Sequence, residues 1–114
     1  ERSSLRGLVR PSGPTLAELV RGPLSLGARL EDEGIPSVPS PAAPSPGSDP
    51  YFSGGYSTAR YGSRDGGGVS GIQVEAHFPG VRDTDENRTR FAGILADALV
   101  EFFRDHLGTD PAPR

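Results

Sequence analysis

Apolar residues along this chain recur at helical spacing in several stretches and alternate in one. Leu16, Leu19 and Val20 share a helical face behind Thr15, and Glu18 stands three residues after that threonine, the spacing of a capping box. The pattern predicts a short helix over 16–21, ended by Gly22. Pro23, at a first helical position, opens a second helix carrying Leu24, Leu26, Ala28 and Leu30 and stopping at Gly34. Further on, Phe91, Ile94, Leu95, Ala98, Phe102 and Leu107 fall on one face of a long helix. Asp83 and Glu86 are placed to cap its start, and Gly108 and Pro111 to end it, with Pro113 keeping it from resuming. Between these lies 69–77, where Ile72, Val74 and Ala76 alternate with Gln73, Glu75 and His77, which predicts a strand with a polar row. Residues 1–10 read as a frayed helix end or a strap, and 35–38, which contains Pro36, as an edge strand or extended connector.

The remaining segments are loop by composition. Residues 37–50 hold five Pro among Ser and Ala, so this stretch is either a disordered linker or an ordered loop laid over a domain surface. With 33% hydrophobic residues, 16 Gly and 12 Pro in 114 residues, the chain supports one domain with a thin core. It divides into a helical segment (1–34), a Pro-rich loop (35–50), a Gly-rich loop with strand and last helix (51–108), and a tail (109–114). This order predicts α/β architecture, half of a layer and not a complete sheet. Because a lone strand needs neighbours, self-association through exposed apolar faces is expected. The absence of Met at position 1 is read as the mark of a fragment.

A net charge of −3, with acids interspersed among the Arg residues, leaves no basic stripe for a nucleic acid. Zero Cys removes disulfides and thiolate chemistry, no apolar run reaches membrane-spanning length, and a cytoplasmic location with no membrane partner is the default expectation.

Candidate chemistry concentrates in 49–77. A carboxylate near the C-terminal end of a sheet strand sits where open α/β folds bind ligands, which singles out Glu75. It is either a solvated strand residue or a general base, a role that wants partial burial and that Gln73 could orient. Arg60 follows the Gly54-Gly55 turn and offers a planar fork for a carboxylate, with the Tyr56, Thr58 and Tyr61 hydroxyls nearby; the plain alternative is a surface Arg paired to Asp65. The stretch 62–68 (GSRDGGG) lacks the order of a phosphate loop and reads as a hairpin-like or lid loop. Glu75 and His77 could share a metal. With two His in the chain, and His106 at a helix end where it complements the dipole, a complete site is not expected here. Ser53, Ser57 and Ser63 lie outside any nucleophile elbow.

FSGGYSTARYG followed by GIQVE resembles the C-terminal half of the N-formylglutamate amidohydrolase family. SLGARLEDEGIPSVPSPA and GVRDTDENRTRFA extend the likeness over about 24–107. The resemblance implies the C-terminal portion of a three-layer α/β fold like that of zinc carboxypeptidases and phosphorylase-like hydrolases. It implies hydrolysis of the amide of an N-acyl amino acid or peptide by a bound zinc. Glu75 falls on the general acid/base position, and Arg60, with Thr58 and Tyr56, on the grip for the substrate carboxylate. Ala59 departs from the basic residue often found there, and the family's metal ligands belong to an N-terminal half that this chain does not contain. The alternative function is a non-catalytic interaction fragment that docks on a partner through its amphipathic helix.

Overall fold

A computed structural model describes residues 3–50 and 54–111; Tyr51, Phe52 and Ser53 of the Gly-rich stretch, and Pro113 in the tail, lie outside the described residues. Among the described residues a 3-10 turn at Arg6–Leu8 is followed by four α-helices: α1 (Leu16–Arg21), α2 (Leu26–Asp32), α3 (Tyr56–Tyr61) and α4 (Asp85–Leu107).

The α1 capping box forms as its sequence dictates, with the Thr15 hydroxyl accepting from the Glu18 N–H and the Glu18 carboxylate accepting from the Thr15 N–H. Pro23, by contrast, does not open α2. Ser25 does: its side chain is wholly buried and accepts from the Ala28 N–H at 3.2 Å, a cap that starts the helix at Leu26. At the other end, the Ile35 N–H bonds the Leu30 carbonyl and the Gly34 N–H bonds that of Glu31, the paired bonds of a Schellman motif. Gly34 supplies the required left-handed backbone, with φ 82°. The motif's apolar contact is Leu30 with Ile35, and both are buried in the core.

α4 packs antiparallel on α2. His106, near its C-terminal end, is 2.9 Å from the Leu24 carbonyl; Arg29 bridges Glu101 and Asp105; and Arg90 donates to the Glu33 carbonyl at 3.1 Å. Leu30, Ile35 and Ala98 form the core, joined by Leu26, Phe91, Ile94 and Leu95. Phe102 is buried as well, with the His106 ring at 4.5 Å between centroids. The α4 cap sits one residue later than the carboxylate spacing suggests. Thr84 accepts from the Asn87 N–H, while Asp83 accepts from the Gly80 N–H and the Asn87 side chain. Gly108 ends the helix in the left-handed region, as predicted.

Part of the Pro-rich segment is laid on α2. The buried Ser40 hydroxyl donates to the Glu31 carboxylate and accepts from the Ala43 N–H, and a Cβ on Gly27 would meet the Pro39 carbonyl oxygen at 2.0 Å.

The α/β expectation fails. Among the described residues no strand forms, and the architecture is all-helical. Residues 69–77 alternate as a strand does, but no described segment lies alongside to make a ladder, and a strand needs a partner to satisfy its backbone. Tyr56–Tyr61, expected as a turn, is a helix flanked by Gly55 and Gly62. It buries none of its residues, so it left no apolar stripe to recognise.

Candidate functional site

Of the site residues singled out by sequence, Thr58 and Glu75 line a broad cleft of about 1130 Å³. One wall is 72–77 and the first turn of α3; the opposite wall includes Leu19, Leu30, Ile35 and Phe91.

The two sides of the first wall are held together by small residues. A Cβ on Gly55 would lie 2.7 Å from the Gln73 side-chain oxygen, and one on Gly54 would lie 2.4 Å from the Thr58 hydroxyl, so the Gly-Gly pair lets α3 approach the extended segment. Thr58 donates back to the Gly55 carbonyl at 3.1 Å. Gln73 Nε2 donates to Glu75 Oε1 at 2.6 Å, the orienting contact expected from the sequence; side chains two apart meet on one face only when the backbone is extended. Glu75 is nevertheless exposed, without the partial burial that favours proton transfer by a carboxyl group.

Thr58 and Glu75 both line the cleft, whereas Tyr56 and Arg60 do not. Tyr56 is 74% exposed and meets Tyr61 edge to face, and the Arg60 guanidinium stands 5.5 Å from the Tyr61 ring centroid. Among the cations that line the cleft is Arg64, which the sequence reading placed in a lid loop. Its Nε is buried without a hydrogen-bond partner among the described residues, and Asp65, assigned in sequence to Arg60, lies 4.0 Å from it. Arg90 lines the cleft from α4.

The loop around Arg64 is fixed by a serine cluster that its polar sequence concealed. Ser63 is 1% exposed; its hydroxyl accepts from the Gly7 N–H at 2.6 Å, donates to the Ser4 carbonyl at 2.9 Å, and lies 3.0 Å from the Ser70 hydroxyl. The Gly71 N–H bonds the same Ser4 carbonyl, and the Ser4 hydroxyl returns a bond to Gly71. The N-terminal strap therefore ties both ends of 63–71 together. At the far end of the wall, 78–82 turns through Pro79 (φ −64°, ψ 127°) and Gly80 (φ 78°, ψ −8°), type II geometry. Arg82 donates to the Ala76 carbonyl at 2.8 Å.

A zinc ion does not fit the residues present. Glu75 and His77 are the acid and imidazole on the wall, both exposed, and among the described residues no group of three His, Cys, Asp or Glu side chains converges on a point. No helix among the described residues is long and apolar enough to cross a membrane. No family model, curated protein or solved structure matches the chain.

Proposed function

We propose that this chain contributes part of the substrate wall of an amide-cleaving site for N-acyl amino acids, of the N-formylglutamate amidohydrolase kind. Any zinc would be held by residues outside the chain, and the location would be cytoplasmic. The observation that carries the reading is the 2.6 Å bond from Gln73 to Glu75 on a cleft that Thr58 also lines. In this role Gln73 fixes one carboxylate oxygen, leaving the other to take a proton from water and pass it to the leaving amine. The substrate carboxylate is gripped by an arginine fork with the Thr58 hydroxyl beside it. The resemblance assigns this fork to Arg60, while Arg64 is a cation that lines the cleft.

Steady-state kinetics of an enzyme that includes the metal-bearing residues tests these roles, with N-formylglutamate and its carboxamide analogue as substrates. Glu75→Gln is expected to lower kcat by roughly 10²-fold with little change in KM, because proton transfer acts in the transition state. Whichever of Arg60→Lys and Arg64→Lys erases the preference for the free carboxylate identifies the fork. Near-normal kcat in Glu75→Gln removes the catalytic assignment.

A second reading, a non-catalytic docking module, is favoured by the exposure of Ile72, Val74 and Phe78. The docking face read in sequence, the apolar side of α4, packs on α2 and leaves Phe91, Ile94 and Leu95 half-buried, and the extended segment offers a second apolar surface.

A further inference from the structure

We propose that 72–76 is the contact between two copies of this chain, pairing antiparallel with its own mate about Val74. Ile72 is 43% and Val74 45% exposed, on a segment whose side-chain alternation is fixed by the Gln73–Glu75 bond. Residues 72–75 make no backbone hydrogen bond with any other described residue. Unpaired donors and acceptors along an extended chain are a template for another strand.

The sequence of the segment is complementary to itself. With Val74 opposite Val74, Ile72 faces Ala76 and Gln73 faces Glu75, so apolar side chains meet apolar ones and each carboxylate meets an amide donor. Shifting the center to Glu75 would set carboxylate against carboxylate. This pairing does not rest on the proposed activity.

Sedimentation equilibrium of the full chain over about 1 μM to 1 mM is expected to show a monomer–dimer equilibrium. Val74→Asp, at an exposed position that leaves the fold intact, sets like charges directly opposite and should give a monomer. Gln73→Lys places a cation opposite Glu75 at two symmetric positions and should tighten the dimer by roughly 2- to 30-fold, while Gln73→Glu should weaken it. Directly opposed residues have Cα atoms about 4.5–5.5 Å apart, within disulfide reach. Val74→Cys should therefore cross-link to its mate on oxidation, and Ile72→Cys, on the same face but opposite Ala76, should not. A monomer throughout the range overturns the proposal, as does a dimer that survives Val74→Asp. So do Lys and Glu at position 73 shifting the equilibrium in the same direction, or equal cross-linking of the two cysteine variants.

Discussion

Ser63 shows how much of this fold depends on single polar side chains. Its hydroxyl accepts from Gly7, donates to Ser4 and approaches Ser70, and it does so at 1% exposure, where no water replaces a lost partner. Ser63→Ala leaves the Gly7 N–H without an acceptor and is expected to cost roughly 1–3 kcal/mol in urea denaturation. An exposed serine such as Ser57 should change by less than about 0.5 kcal/mol when replaced by alanine. Two carboxylates add a pH dependence of known sign. Asp83 is held below its ordinary pKa by the Gly80 N–H and then by the Asn87 amide, and Glu18 by the Thr15 N–H and then by the Thr15 hydroxyl. Each is depressed in the folded chain, so the unfolded chain binds more protons on acidification. Their contribution is complete above the ordinary carboxylate range and is lost as pH falls through the folded values. Thermal melts from pH 7 to pH 3 should show a drop that shrinks in the Asp83→Asn, Glu18→Gln double variant. An unchanged drop would place the acid sensitivity elsewhere.

At the scale of elements, two glycines in helices predict opposite outcomes. Gly27 lies where α2 touches the Pro39 backbone, and a Cβ there would sit 2.0 Å from a carbonyl oxygen. Gly27→Ala must push the Pro-rich strap off the helix and should destabilise by about 1–3 kcal/mol or more. Gly93, exposed on α4, has nothing within 4 Å of its would-be Cβ, and Gly93→Ala should stabilise by about 0.5–1 kcal/mol through helix propensity. Thermal unfolding of both variants checks the pair, and equal shifts would mean that the strap does not press on α2 in solution. The elements legible in the sequence were those that bury a stripe. α1 declared itself through Thr15 and Glu18, and α4 through Phe91, Ala98 and Phe102. The start of α2 was misplaced because Pro23 is compatible with a first helical position, whereas the deciding bond is made by the hydroxyl of Ser25. α3 was invisible for the opposite reason, since a helix with no buried face has no period to read. The strand reading of 69–77 was right about alternation and wrong about the sheet, because pairing depends on a neighbour that local sequence does not encode. The candidate site suffered likewise: Glu75 and its Gln73 partner were readable at a spacing of two, but whether Arg60 or Arg64 reaches the cleft depends on the serine cluster that positions the loop.

The whole molecule is uneven in stability, and that unevenness can be measured. Leu30, Ile35 and Ala98 join α2 to α4 in a small core, with Phe102 buried further along α4 and Arg29 bridging Glu101 and Asp105. The half carrying α3 and 69–77 has no buried apolar residue among the described ones and is attached through the Ser4–Ser63–Gly71 bonds and the turn at 78–82. Apolar burial sets the cost of opening a helix pair, whereas a few part-exposed hydrogen bonds set that of opening a strap, so the two halves should open at different free energies. Native-state hydrogen exchange is expected to find the slowest amides in α2 and in α4 around Leu95–Phe102, opening only with global unfolding. Those of α3 should exchange through local opening, and 72–75, unpaired with any described residue, should exchange almost freely in dilute solution. Raising the concentration should protect 72–75 selectively if copies pair there, and leave the α2–α4 core unchanged. Protection of 72–75 equal to that of α4 in the dilute monomer would mean that the segment already has a partner within the chain, and the cleft beside it would then be closed in solution.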